Sequence, residues 1–344
     1  MAPTDVISTR PQRSPWLAAV DRWLWRRASF RMVPDLKLPL PPTGRPEPAL
    51  AVAPRLAFAG FPSDYSVALL LALIGTGVDL AGIVTSLGAN PMIAGENALS
   101  QVAEHMAVPL LRLARVNDYD SLVALRRLRA DLILVASFDQ ILRDRALGIP
   151  RLGWVNVHPS LLPKYRGPEP VYWAIVNGEP VSGISFQRVE RGIDAGPLLA
   201  QRAGPIRPDD DAGTLTRRLT ELGAEAISAV LEMALAGDPG TPLELSHGSY
   251  FSSVGHRRID QVESATLAER LVRAGNPNML ASTLCGGRLC YVIRVGRVAA
   301  GDRSPGPRIH YPDGDLILEQ TIDRCGCHHG EPGGHCPHDD PLQG

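Results

Sequence analysis

Short apolar runs alternate with segments of helical spacing along the first two thirds of the chain. The runs RLAFAGF, VDLAGIVTS and DLILVAS are continuous, as in strands that are buried on both faces of a sheet. Between the first two lies SDYSVALLLALIG, in which Ser63 fits an N-cap and Val67, Leu70, Leu71 and Ile74 share one helical face. Strands that alternate with helices predict an α/β domain with a parallel-rich sheet covered on both faces.

The pattern changes after Thr241, where shorter strand-like runs are separated by Gly and Asp. The segments NMLASTL, RLCYVIRVGRVA, PRIHY and DLILEQTI are of this kind, and ATLAERLVRAG is the one helical segment among them. This texture predicts a small C-terminal β domain, an OB-like barrel. We therefore assign residues 55–240 to the α/β domain and residues 241–323 to the β domain.

Residues 1–54 form an N-terminal amphipathic segment with a Pro-rich linker. Trp16, Val20 and Trp23 fall on one predicted helical face beside several arginines. Such a helix would dock on a partner or on a membrane surface. A transit peptide, or a helix that folds back on its own domain, are the alternatives.

The composition argues against several classes of protein. The formal net charge of −1 gives no overall field toward nucleic acid or membranes. No apolar run approaches the ~20 residues of a transmembrane helix, and the N-terminus lacks the apolar core of a secretory signal. The long middle of the chain has no cysteine, so a disulfide-stapled secreted domain is disfavoured. We expect a cytoplasmic protein.

Polar residues stand at the end of one predicted strand, in the stretch WVNVHPS. Asn156 and His158 are two apart and therefore share a face of the strand. Asp194 lies in the Gly192–Gly196 turn after the next strand, and a carboxylate beside a histidine favours the imidazolium. Asn, His and Asp together can stabilise an oxyanion and move protons in acyl transfer. Without an obvious Ser or Cys nucleophile, the pattern favours direct transfer between two bound substrates; a structural histidine at a strand end is the alternative.

The stretch NVHPSLLPKYRGPEPVYWAIVNGEPVSGISFQRVERGIDAGPLLAQ resembles the folate-dependent formyltransferases, including the methionyl-tRNA and amino-sugar formyltransferases. The resemblance continues upstream through DLILVASFDQIL. It implies a Rossmann-like domain that binds 10-formyltetrahydrofolate as co-substrate, with Asn156, His158 and Asp194 as catalytic residues. It further implies a folate pocket formed by Phe138, Gln140, Ile141, Leu142, Ser160, Leu161, Gly192 and Ile193.

The resemblance leaves the amine acceptor open. The tRNA enzymes of this family carry a basic insertion after the second strand, and the equivalent stretch here, SLGANPMIAGE, has no Lys or Arg. Residues 241–323 contain as many acidic residues as arginines, whereas nucleic-acid binding relies on a positive face. We therefore favour a small-molecule or peptide-like amine over Met-tRNA.

Residues 324–344 form a tail rich in possible metal ligands, for which the resemblance offers no counterpart. Thiolates and imidazoles suit Zn, Cu or Ni, although the spacing differs from that of a zinc finger. The candidate ligands are Cys325, Cys327, His328, His329, His335, Cys336 and His338. The tail thus permits a second class of function, a metal-handling or maturation protein built on a formyltransferase scaffold; a tail that binds metal only opportunistically is the alternative.

Overall fold

The computed structural model describes residues 54–87, 98–252, 254, 257–299 and 306–323. Three predictions lie outside these residues and keep the status of predictions: the amphipathic N-terminal helix, most of the stretch compared with the basic insertion, and the Cys/His-rich tail. Within the described residues, no helix is both long and apolar enough to cross a bilayer.

Eleven strands and seven α-helices occur among the described residues. The strands are β1 (Arg55–Gly60), β2 (Asp79–Ser86), β3 (Leu110–Leu113), β4 (Leu132–Ala136), β5 (Trp154–His158), β6 (Val181–Arg188), β7 (Leu198–Pro205), β8 (Ala281–Cys285), β9 (Arg288–Arg297), β10 (Arg308–Tyr311) and β11 (Gly314–Asp323). The helices are α1 (Asp64–Gly75), α2 (Ala98–His105), α3 (Tyr119–Leu128), α4 (Asp144–Leu147), α5 (Pro170–Val176), α6 (Ala212–Leu235) and α7 (Ala265–Gly275).

The large sheet has the strand order β3-β2-β1-β4-β5-β6-β7. Strands β1 to β5 pair in parallel, and β6 pairs antiparallel with β5. The order reverses between β1 and β4, which is the kind of position where open α/β sheets bind ligands. The predicted parallel-rich, Rossmann-like sheet is confirmed, with an antiparallel strand added beside β5.

Strand β1 shows why continuous apolar runs predict a sheet with two covered faces. Leu56 and Phe58 belong to one buried cluster, together with α1 and α2. Ala57 and Ala59 belong to the cluster on the opposite face, together with α3. Successive side chains of a strand point to opposite faces, so a strand between two helical layers has to be apolar at every position.

Helix α1 begins where the sequence predicts. The Ser63 side chain accepts a hydrogen bond from the Ser66 amide, as an N-cap serine does. Every residue from Tyr65 to Ile74 is buried. The helix therefore lies inside the domain, and its first turn can reach the neighbouring strands.

The C-terminal strands form a separate antiparallel sheet in the order β10-β11-β9-β8. Helix α7 accompanies this sheet, and its first amides donate to the carboxylate of Asp313. These hydrogen bonds hold the pKa of Asp313 well below its usual range. The small C-terminal β domain is thus confirmed, and Cys290 on β9 is buried in it.

The chain divides into two compact units. Of the described residues, the first comprises those up to His158, Ile184–Arg202 and Thr220–Leu243; the second comprises Pro159–Gly183, Ala203–Leu219 and those between Glu244 and Asp323. Each unit therefore contains segments from both of the domains drawn from sequence alone.

Candidate active site

Asn156, His158 and Asp194 come together in the first unit. Asn156 and His158 lie in the carboxyl half of β5, and Asp194 lies in the turn that follows β6, the antiparallel neighbour of β5. The Asn156 Nδ2 donates to Asp194 Oδ1 over 3.1 Å. His158 Nδ1 lies 3.6 Å from Asp194 Oδ2, which is longer than a direct hydrogen bond. The His158 side chain is 7% exposed, so the imidazole and the carboxylate face each other largely out of contact with water.

The turn that carries Asp194 depends on an unusual backbone. Asp194 has a φ of 47°, in the left-handed region that Asp and Asn tolerate better than most residues. Gly196 packs so tightly that a Cβ there would lie 1.9 Å from the carbonyl oxygen of Arg188. Only glycine fits this approach, and the close contact holds the turn against the end of β6.

A third group binds Asp194 that the sequence analysis did not identify. Gln187, on β6, donates from Nε2 to Asp194 Oδ1 over 2.9 Å. Gln187 is also the register partner of Asn156 across β5 and β6. Its polar side chain in a buried strand was the one signal in the sequence, but its proximity to Asn156 depends on the register between β5 and β6.

Tyr65 also reaches the site, from the first turn of α1. Its hydroxyl donates to the carbonyl oxygen of Val157, the residue between Asn156 and His158, over 2.8 Å. Burial, and then the nearby charge of Asp194, raise the pKa of this phenol well above its usual value. Tyr65 therefore stays neutral and keeps donating, which fixes the backbone between the two polar side chains of β5.

The loop after β4 was predicted to border the folate pocket. The Gln140 side chain donates to the Leu113 carbonyl and to Ser86 Oγ, and its Oε1 accepts from the Val116 amide. The side-chain amide of Gln140 therefore binds the protein itself and stabilises the conformation of the loop. Any contact that residue 140 makes with a ligand would come from its backbone.

The other predicted folate residues differ in exposure. Ile141 and Ile193 are 63% and 43% exposed, which is unusual for large apolar side chains. Phe138 is half-buried, Leu142 is buried and Gly192 is exposed. Phe138, Ile141 and Leu142 follow β4, whereas Gly192 and Ile193 follow β6.

Ser160 and Leu161 belong to the second unit. The Ser160 hydroxyl donates to the carbonyl of Lys164. Leu161 lines a cavity of about 370 Å³ within that unit, together with Tyr165 and Glu179. The Tyr165 hydroxyl donates to Glu179, whose pKa lies below its usual value because Tyr165 and Lys164 bind it.

The metal ligands predicted in the tail lie outside the described residues. Among the described residues, no group of three or more His, Cys, Asp and Glu side chains could hold a metal ion. Asn156, His158 and Asp194 bring an amide, an imidazole and a carboxylate together in the first unit. Such a set can donate hydrogen bonds to an oxyanion and move a proton.

Comparisons with known proteins agree with this fold. A sequence profile described as formyl transferase matches residues 74–231. A methionyl-tRNA formyltransferase of Roseiflexus sp. (strain RS-1) is 35% identical over 274 residues, covering 76% of this chain and 83% of the relative. The corresponding enzyme of Geobacter sulfurreducens is 38% identical over 187 residues, covering 53% of this chain and 58% of the relative.

Solved structures share the fold. HypX from Aquifex aeolicus, in complex with tetrahydrofolic acid, matches with a TM-score of 0.56 and 19% identity; the match covers 78% of this chain and 44% of HypX, so this chain spans less than half of HypX. A likely sugar N-formyltransferase from Mycobacterium tuberculosis matches with a TM-score of 0.55 and 19% identity, covering 74% of this chain and all of that one.

The fold and the matching profile define a formyl-group transferase. The chain belongs to the formyltransferase family, as its sequence predicts, and is an enzyme of that family.

Proposed function

We propose that this enzyme moves a formyl group from 10-formyltetrahydrofolate to a primary amine. The observation that carries the proposal is the hydrogen-bonded arrangement of Asn156 and Asp194 beside His158 at the end of β5. The complex of HypX with tetrahydrofolic acid supports a folate as the donor.

In the proposed mechanism the acceptor nitrogen attacks the formyl carbon directly. The carbonyl π-electrons move to oxygen, and the oxyanion of the tetrahedral intermediate accepts hydrogen bonds from Asn156 and from His158. Asp194 stabilises the imidazolium form of His158 and takes part in removing the proton from the attacking amine. Collapse of the intermediate breaks the bond between carbon and N10, and N10 takes up a proton, so that formyl-amine and tetrahydrofolate are released.

We place the pterin of the donor near the loop after β4 and the Asp194 turn. The exposed Ile141 and Ile193 would cover its apolar faces, while backbone groups around Phe138, Leu142 and Gly192 would bind its polar edge. The interlocked side chain of Gln140 would keep this wall rigid. Ser160 and Leu161 are retained as additional donor contacts on the strength of the family resemblance.

Two acceptors are supported by different observations. The curated relatives are named methionyl-tRNA formyltransferase, which favours Met-tRNA, the acceptor that the sequence analysis ranked second. The charges of the second unit favour a small or peptide-like amine, because several cations there are paired. The pairs are Arg258–Asp260, Arg294–Glu319 and Arg297–Glu269.

Mixing the enzyme with 10-formyltetrahydrofolate and the true acceptor should release tetrahydrofolate in proportion to formyl-amine formed. The assay compares Met-tRNA with a panel of amino sugars, amino acids and short peptides. Turnover with Met-tRNA that weakens steeply with added salt would identify tRNA, because phosphate contacts release counterions. Turnover only with a small amine would identify that class. Release with no acceptor of either kind would contradict the proposed transfer.

We further propose that the tail binds Zn, Cu or Ni. The ligands would be Cys325, Cys327, His328, His329, His335, Cys336 and His338. Removing residues 324–344 should abolish the binding of titrated Zn²⁺, Cu²⁺ or Ni²⁺ and leave formyl transfer within about twofold of the full chain. Loss of the cellular function with transfer intact would favour the second class, a metal-handling or maturation protein. Unchanged metal binding would refute the assignment of these ligands.

We also propose that residues 1–54 dock on a partner or on a membrane surface.

A further inference from the structure

The amide of Gln187 is placed where packing alone would favour an apolar side chain. Gln187 is only 2% exposed, and its Oε1 accepts no hydrogen bond from any described residue. A buried acceptor without a partner costs stability, and an apolar residue of similar volume would avoid that cost. What the amide supplies is its Nε2 donor, which is directed at Asp194.

Two amides converge on the same carboxylate oxygen. Asn156 Nδ2 and Gln187 Nε2 both donate to Oδ1 of Asp194, over 3.1 Å and 2.9 Å. They come from register partners on adjacent strands, so the two donors are held in a fixed relation. Neither amide can lose a proton, and rotation of the carboxylate would break both hydrogen bonds. Oδ2 therefore stays on the His158 side, 3.6 Å from Nδ1 of the imidazole.

We propose that Gln187 is a positioning residue of the formyl-transfer site, which holds Oδ1 of Asp194 so that Oδ2 faces His158. The inference rests on the proposed function, because it assigns Gln187 a part in that reaction. Without Gln187, Asn156 would be the one amide left on Oδ1, and the carboxylate could turn away from the imidazole. The imidazolium would then be stabilised less in the transition state.

Gln187→Met tests the donor, because methionine has a similar volume and no N–H. We expect kcat to fall about tenfold, the loss expected for one hydrogen bond to a charged group. KM for 10-formyltetrahydrofolate and for the acceptor should stay within about twofold, because a positioning residue acts through Asp194. Circular dichroism and the thermal midpoint report whether the variant folds.

Gln187→Glu gives a second readout that a packing role would not produce. An ionised Glu faces the Asp194 carboxylate with like charge, whereas a protonated Glu can donate to Oδ1 as the amide does. The rate relative to the unmodified enzyme at the same pH should therefore be lowest at high pH and recover as the pH falls. His158 on β5 and Tyr65 on α1, the titratable groups that face Asp194, are common to both proteins and cancel in this ratio.

Gln201→Met is the matched control. Gln201 lies on β7 and donates to Ser185 Oγ, so this variant also removes one amide donor from a strand of the same unit. We expect its kcat to stay within twofold of the unmodified enzyme. An unchanged kcat in Gln187→Met, equal losses in the two methionine variants, or a Gln187→Glu ratio independent of pH would overturn the inference. Absence of turnover in the unmodified enzyme with every acceptor would instead overturn the proposed function.

Discussion

Replacing His158 with alanine is expected to lower kcat by about 10²- to 10⁴-fold, the usual contribution of a general acid–base group. The imidazole is 5% exposed and lies beside the Asp194 carboxylate, so water cannot readily replace it as a proton carrier. Binding of the folate donor should change little, because the imidazole is expected to act on the formyl oxygen and the attacking amine. Single-turnover rates and donor affinity, measured on the same preparation, separate the two effects.

The fold of the His158 variant has to be verified because His158 is buried. His158→Gln keeps most of the side-chain volume and serves as a second variant if the alanine protein is unstable. His105→Ala, at the end of α2 in the same unit, is the matched control and should retain activity. Near-normal turnover in both His158 variants would contradict the proposed role of the imidazole.

Asp194→Asn is expected to lower kcat by about 10²- to 10³-fold, comparable to removal of one electrostatic contact to a transition state. The substitution preserves the shape of the side chain and removes its charge, so the imidazolium of His158 loses its counter-ion. If the oxygen of the new amide accepts from Asn156 and Gln187, its NH₂ group faces His158. If the amide is turned round, its NH₂ group faces those two donors instead. The site would be reoriented as well as neutralised.

Two further variants test whether the loss of kcat in Asp194→Asn is specific to this site. Asp144→Asn removes a carboxylate of the same unit that pairs with Arg191 at the surface, and exposed pairs contribute little. Its kcat should stay within about twofold. In the double variant His158→Ala with Asp194→Asn, the losses should be much smaller than the product of the single losses, because residues that act as a unit are not additive. Fully multiplicative losses would mean that the two groups act independently.

Local rules predicted most of the secondary structure. Ser63 could be identified as a cap because the hydrogen bond to the Ser66 amide is local in sequence. The direction of β6 could not be identified, because a buried run looks the same in a parallel or antiparallel strand. The division of the chain into units also escaped sequence analysis, since each unit combines segments that are distant in sequence.

At the candidate site, too, contacts that are local in sequence differ from contacts between distant segments in how well they could be predicted. Asn156, His158 and Asp194 were found because their spacing and the family resemblance pointed to them. Gln187 was missed because its partner depends on the register of β5 and β6, and Tyr65 because its partner is a carbonyl in a strand 92 positions away. The assignment of Gln140 to the folate pocket stays a prediction, and the hydrogen bonds of its side chain to the protein's own loop were not foreseen.

The buried phenol of Tyr65 affects the stability of the folded protein at alkaline pH. An unfolded chain ionises a tyrosine at about pH 10, whereas the folded protein keeps Tyr65 neutral well above that value. The contribution of this buried phenol to stability is therefore complete below about pH 10 and decreases as the pH rises further, because ionisation then favours the unfolded chain. The ultraviolet absorbance of the Tyr65 phenolate should appear only when the hydrogen bond to Val157 is lost. The part of the tyrosinate absorbance that a Tyr65→Phe variant lacks is thus an optical signal for whether the end of β5 is intact.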